Sequence, residues 1–296
     1  MIQLDVELKV RQAFHAVLLM DAFIQVSEQA LAQVEKRYKV AQEQKSAGVT
    51  ARLEVIRSNV QVVNARSQLI QARNQRKLAK ENLKLTLGLP LDQAILIEGE
   101  LRAELKQVNI EHAMTTALDR RPEIHRFNIQ EQIGEKQVKV AKAGNKPTIS
   151  TFSNYMFNDS ERQVFGTAWN VGFAIQFPIF DGFSTRSQVN QARIHLDQLQ
   201  TNKDQILDSI KLETKAAVFD LRAAEKLIEV QEGIVEEAAE ALRIANAQHE
   251  TGMITDVELT DVERSHTQAQ VNQLQAIHDY IVAVARVERA LGSKLE

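Results

Sequence analysis

The chain repeats itself, and that repetition constrains its fold more than any other feature. Val6 to Gly88 aligns without gaps with Ile210 to Gly292, at a constant offset of 204 residues, from residue 6 to residue 210. Leu8 falls on Leu212, Ala13 on Ala217, Val26 on Val230, Glu28 on Glu232 and Ala41 on Ala245. Further on, Gly48 falls on Gly252, Glu54 on Glu258, Ala65 on Ala269, Gln71 on Gln275, Ala79 on Ala283, and Leu87-Gly88 on Leu291-Gly292. The two glycines of each copy are separated by the same 40 residues, 48 to 88 and 252 to 292. A gapless repeat of this kind means that one supersecondary unit is built twice.

Each copy reads as a helical hairpin. With only 11 glycines and 4 prolines in 296 residues, and long runs of Ala, Gln, Glu, Lys, Leu and Val, the composition favours long helices. Low aromatic content suits narrow Ala/Leu/Val seams rather than a thick core. The first helices run to about Lys45 and Glu250, and Gly48 and Gly252 suit left-handed C-terminal caps. The second helices start near Thr50 and Thr255 and end at the Leu-Gly pairs; Thr255-Asp256-Val257-Glu258 has capping-box spacing. A helix of some 38 residues is roughly 57 Å long. Ser184 to Glu250 contains no proline and one glycine, Gly233, and as one helix it spans roughly 100 Å.

Between the copies the pattern changes. Residues 92 to 108 read as irregular, 109 to 119 as a short helix stopped at Arg120-Arg121-Pro122, and 123 to 143 as a further helix. The one β-like segment is 148 to 180. Trp169, Val171, Phe173, Ile175, Phe177 and Ile179 alternate with Asn170, Gly172, Ala174, Gln176 and Pro178, which is the period of a strand with one apolar face. Ile149, Thr151, Ser153, Tyr155 and Phe157 alternate less cleanly, and Asn158-Asp159-Ser160-Glu161-Arg162 connects the two. A lone hairpin is not stable in water. Its edges and apolar face are covered either by copies from other subunits in a closed barrel or by helices of its own chain.

Four segments, in this order and around this duplication, resemble the TolC family of outer-membrane efflux proteins. They are the paired Leu-Gly hairpin ends; Ala117-Leu118-Asp119-Arg120-Arg121-Pro122-Glu123-Ile124, similar to the family's RPE/RPD segment; Ala141-Lys142-Ala143-Gly144-Asn145-Lys146-Pro147, before a strand; and Phe177-Pro178-Ile179-Phe180-Asp181-Gly182, similar to the family's P-[IL]-F-[DN]-G after a strand. The resemblance implies a mainly α chain. Long helical hairpins in two related repeats would contribute to an α-helical periplasmic tunnel. One β-hairpin would contribute to a trimeric outer-membrane barrel. It implies a passive export duct working with a periplasmic adaptor protein and an inner-membrane transporter, in contact with outer-membrane lipid. The expected segments are 1–88, a hairpin of an incomplete first repeat; 89–147, an equatorial segment and helix; 148–182, the barrel hairpin; and 183–296, long tunnel helices with the second hairpin. A first repeat as long as the second would begin about 116 residues before Met1, the 204 of one repeat less the 88 present. The chain is therefore expected to be an N-terminally truncated protomer.

The family's tunnel is constricted at the hairpin tips, often by acidic residues. The corresponding candidates are Asp256, Glu258 and Asp261 after Gly252, and Glu54 after Gly48. Glu258 and Asp261 share a helix face, and around a three-fold axis they would form a cation-selecting ring. The plainer reading is that acidic residues favour a helix's first turns and that Glu258 closes a capping box. Gly48 and Gly252 mark tips for adaptor contact; in plainer terms they cap helices. Tyr155, Trp169 and Phe180 are expected at the membrane interface, or else as core aromatics.

Other classes have little support. With a net charge of −3 and no Lys/Arg cluster, no nucleic-acid footprint is expected. The absence of cysteine excludes disulfides and thiolate sites. The seven histidines show no metal-ligand spacing, and no phosphate loop or nucleophile elbow occurs, so no cofactor, metal or enzyme activity is expected. No stretch of about 18 apolar residues reads as a membrane helix, and Met1 to Asp5 read as helix rather than signal peptide. The competing functions are a soluble periplasmic coiled-coil adaptor or scaffold, which would have no use for the apolar face from Trp169 to Ile179, and a non-functional truncated remnant.

Overall fold

Helix propensity and apolar spacing build six helices, named in chain order in the computed structural model, which describes residues 2–158 and 166–295. They are α1 (Ile2–Ser46), α2 (Arg52–Leu87), α3 (Ile110–Arg120), α4 (Pro122–Lys142), α5 (Ser184–Glu250) and α6 (Asp256–Leu291). Two strands, β1 (Thr148–Asn158) and β2 (Gly166–Gln176), lie between α4 and α5. Contacts divide the chain into two units, Met1–Arg121 with Ile210–Glu296, and Pro122–Ser209.

In the larger unit, α1 and α2 pack as one antiparallel hairpin, and the part of α5 from Ile210 on packs with α6 as the other. The buried seam of α2 runs through Val62, Ala65, Leu69 and Ala72, at alternating steps of three and four residues, and Leu83 is buried further along. That is the spacing of a knobs-into-holes seam. Its counterpart on α6 includes Ala269, Ala276 and Val287, each 204 residues on from a buried position of α2. Across the first hairpin run three arginine–carboxylate pairs: Arg66–Glu35 at 2.8 Å, Arg73–Glu28 at 2.8 Å, and Arg76–Asp21. Residues 89 to 109 form no helix or strand, yet Ile95 and Ile97 pack on Ala13, Val17 and Leu83. Tyr280, buried on α6, holds this segment by accepting the Lys106 amide at 2.6 Å and donating to the Glu104 carbonyl at 3.2 Å.

All four hairpin-helix ends carry the same turn. Gly48, Gly88, Gly252 and Gly292 have φ of +76°, +70°, +73° and +71°. The residue after each glycine donates its amide five residues back: Val49 to Gln44, Leu89 to Lys84, Met253 to Gln248 and Ser293 to Glu288. This is the Schellman cap that a glycine allows at no steric cost.

In the smaller unit, β1 and β2 pair antiparallel. Residues opposite one another point to the same side, so Ile149/Ile175, Thr151/Phe173, Ser153/Val171 and Tyr155/Trp169 form one face. The other face is tied by Phe152, whose ring lies across Gly172; a Cβ there would meet the ring at 2.6 Å. The second strand stops at Gln176, short of the alternation read through Ile179, because Pro178 offers no amide to a ladder. Most of the polar connection expected at Asn158–Arg162 lies, from residue 159 on, outside the described residues. No described helix is long and apolar enough to cross a membrane.

Candidate functional site

The tips of the two hairpins are built on the same glycine turn but capped differently. At the second tip Thr255 is the N-cap of α6. Its hydroxyl accepts the Glu258 amide at 3.3 Å, and its own amide donates to the Glu258 carboxylate at 2.8 Å. The backbone amide and then the hydroxyl of Thr255 hold the Glu258 carboxyl below the usual carboxylate range. At the first tip the N-cap of α2 is Ala51, which supplies no side-chain bond.

The candidate carboxylates therefore separate. Glu258 is committed to its own helix end. Asp261 stands exposed one turn further, with Arg264 at 3.6 Å. Asp256, at the start of α6, meets Nε2 of His249 from the end of α5 at 2.7 Å. Glu54 reaches across from α2 to Asp256; burial first, then the Asp256 charge and their side-chain contact, push its carboxyl above the usual range. Arg57, 3.8 Å from Glu54, and His249 act in the opposite sense.

About one helical turn along α6 lies a network that the sequence reading missed. Arg37 of α1 pairs with Glu263 of α6, and donates to Thr260 at 3.3 Å and to Gln61 of α2 at 3.0 Å. Gln61 donates to Thr260 at 2.9 Å, and Thr260 donates to the Asp256 carbonyl at 2.7 Å. Burial raises the Glu263 carboxyl, and Arg37 opposes that. The signal lay in the repeat: 204 residues from Arg37 stands Ala241, and Glu263 and Thr260 correspond to Asn59 and Ile56. Above this network a groove of about 590 Å³ opens between α1, α2 and α6, edged by glutamines such as Gln33, Gln68 and Gln71.

Tyr155 and Trp169 face one another in register, both largely exposed. Phe180 is not with them: it lies four residues past β2, exposed, with its ring edge-on to Phe183 at 5.8 Å. Among the described residues no three His, Asp or Glu side chains are grouped to hold a metal ion.

The sequence model of the outer membrane efflux protein family matches residues 3–89 and 113–293, nearly the whole chain. The chain belongs to the outer membrane efflux protein family. Among curated relatives, the outer membrane protein TolC of Vibrio cholerae is 23% identical over 175 residues, 57% of this chain and 40% of that protein. Nodulation protein T of Rhizobium leguminosarum bv. trifolii is 21% identical over 276 residues, 90% of this chain and 59% of that protein. Among solved structures, the outer membrane protein VceC of Vibrio cholerae superposes with a TM-score of 0.79 at 20% identity, over 99% of this chain and 71% of that one. This likeness bears on the fold. The chain thus spans about half the length of these two curated relatives. The match interrupts at 90–112, most of the irregular segment before α3, and both hairpin tips fall inside it.

Proposed function

We propose that this efflux-family chain is a protomer of a passive outer-membrane export duct. In this reading three copies join their β-hairpins into a barrel in the outer membrane and their long helices into a tunnel through the periplasm. An inner-membrane transporter supplies the energy, and a periplasmic adaptor joins it to the tips around Gly48 and Gly252. No chemistry on the substrate is required of this chain.

The observation that carries this is the sheet. Ile149, Tyr155, Trp169, Val171, Phe173 and Ile175 all lie exposed on one face of a two-stranded ladder. Such a face is stable against lipid when the ladder is closed by other copies, and unstable in water. A second support is on α2, where Leu53, Ile56, Val60, Val63 and Ile70 form an exposed stripe at heptad spacing. That is the seam a neighbouring helix needs. Tyr155 and Trp169 suit the interface between lipid and water, and Phe180 suits a position just beyond it.

Membrane fractionation followed by light scattering in detergent tests the reading. The expected result is a membrane-bound particle of about 100 kDa of protein, three times the 33.4 kDa chain. A monomer in the soluble fraction without detergent would instead support the coiled-coil scaffold. Within the duct, Asp261 is the best candidate for an acidic ring at the tunnel end, since Glu258 is engaged with its own cap. Asp261→Asn should then weaken block of the pore by multivalent cations.

A further inference from the structure

The β-hairpin joins the helices at one end, and the strand register fixes what stands at that root. Thr148 pairs with Gln176, so the turn that follows α4 and the segment that leaves β2 emerge side by side. Helices α4 and α5 lead to it antiparallel. Glu131 pairs with Lys203 at 2.8 Å, Gly134 packs on Leu196 and Leu199, and nearest the root Gly144 packs on Thr185. The root is thus made by residues 142–147 and 177–187, all within the smaller unit.

Its apolar side chains point away from the protein. Ile179 is 92% exposed, and Phe177, Phe180 and Phe183 are exposed with it. Phe183 has φ +65°, in the left-handed region that a bulky side chain occupies only at a cost. The start of α5 fixes it there: Asp181 accepts the Thr185 amide at 2.8 Å, and the Phe183 carbonyl accepts the Ser187 amide at 3.0 Å. The ring gains little burial in return, for it stays 67% exposed, edge-on to Phe180. An exposed apolar projection held under strain marks a contact with something outside the chain. The charges say what. From residue 136 to 196 there are seven Lys and Arg residues and three acids. Two of those acids, Asp159 and Glu161, fall in the connection between the strands. The third, Asp181, is the one in the α5 cap. Lys142, Lys146 and Arg186 stand exposed at the root with no other carboxylate of this stretch beside them. Rings and branched carbons ringed by cations fit a phospholipid, whose acyl chains take the first and whose phosphate takes the second.

We infer that the root of the hairpin is a collar for anionic phospholipid, with Ile179, Phe180 and Phe183 at the boundary of the acyl chains and Lys142, Lys146 and Arg186 on the headgroups. The inference rests on the export-duct reading, in which the root faces the periplasmic leaflet of the outer membrane. There the collar fixes the depth of the barrel from below: the rings resist being drawn into water and the cations resist being drawn into hydrocarbon.

Trp169 is the one tryptophan, which makes the test direct. It lies seven residues before Gln176, roughly 23 Å along the strand from the root. Trp169→Phe with Phe180→Trp moves the fluorophore to the root. The full chain is reconstituted into vesicles that carry brominated acyl chains on either phosphatidylglycerol or phosphatidylcholine, and quenching gives the relative affinity of the two lipids. At the root the anionic lipid should be preferred by about fivefold or more, the effect of roughly one basic residue beside an anionic surface. The preference should fall in high salt. Adding Lys142→Gln, Lys146→Gln and Arg186→Gln should bring it close to one, while quenching of Trp169 in the parent chain with the same three changes stays as it was, showing that the hairpin is still inserted. Equal quenching by the two lipids at the root, or a preference that survives the three changes, would overturn the collar. So would a root fluorophore that no lipid quenches while Trp169 is quenched. Failure of the duct reading has its own signature: neither position would be quenched by either lipid, and the collar would fall with it.

Discussion

The two hairpins descend from one pattern but are held together by different forces. Helices α2 and α6 are both 36 residues long, yet α6 buries ten side chains and α2 six, one of them Lys84. Where the first hairpin places Arg66, Arg73 and Arg76 along α2, the second has Gln270, Ile277 and Tyr280. Exposed ion pairs in one copy have become, in part, burial in the other. The shared Schellman turns and apolar seam show what the duplication preserves. The differences show that α6 is the more buried helix of its unit, while α2 leaves an apolar stripe exposed.

The largest test of that contrast is truncation at equivalent places. Leu259, 2% exposed, packs with Leu242 and Ala245, and its counterpart on α2 is the half-buried Val55. Leu259→Ala should cost about 2–5 kcal/mol in denaturant unfolding, the range for a buried leucine. Val55→Ala should cost roughly 1 kcal/mol, since fewer methyl groups leave a less buried site. Equal losses would erase the distinction between interior and partner-facing helix. The caps come next. Thr255→Ala should destabilise by about 1 kcal/mol. Ala51→Thr offers α2 the cap hydroxyl its copy has, and should stabilise by up to about 1 kcal/mol.

A pH response is expected at one place on the α1–α6 contact. His15 of α1 faces His278 of α6, and both have a ring nitrogen buried without a hydrogen-bond partner among the described residues. Burial, then His278 and Arg11, lower the His15 pKa. Its neutral form therefore contributes stability above its unfolded value of 6.5, and that contribution is lost as pH falls below it. Acid thus weakens this contact. Hydrogen exchange at pH 5.5 and 7.5, corrected for intrinsic rates, should be faster around His15 at the lower pH. His15→Leu should remove that change.

Much of this architecture was legible because it depends on local pattern. The repeat located both hairpins, four glycines marked their ends, and period-two alternation located the strands. The register added a fact that alternation alone does not carry: the apolar sets of β1 and β2 share one face because Ile149 pairs with Ile175 and Tyr155 with Trp169. Contacts between helices were not legible in this way. Which side of α2 meets α6 depends on how two helices 200 residues apart are rotated against each other, and charge patterns along one helix do not report it. Residue type alone groups Glu54 with Asp256, Glu258 and Asp261 as one acidic set, whereas the structure leaves Glu258 in its own cap. The clue is Ala51 against Thr255, a difference between the copies at the cap position. Phe180 resembles Tyr155 and Trp169 in residue type, but it lies beyond Pro178, outside the strand.

The smallest expected effect bears on the charge ladder of the first hairpin. Arg73 and Glu28 approach to 2.8 Å, but their side chains are 57% and 49% exposed. Water and salt screen such a pair, and ordering two long side chains opposes it. A double-mutant cycle of Arg73→Ala with Glu28→Ala should give a coupling of about 0.5 kcal/mol or less, falling further in salt. The ladder then sets the register of α1 against α2 without holding them together, and the seam of Val62, Ala65, Leu69 and Ala72 does the holding. A coupling well above about 1 kcal/mol would reverse that order. The first hairpin would then be secured by its own charges, and the exposed stripe on α2 would no longer be needed to explain how so lightly buried a helix persists.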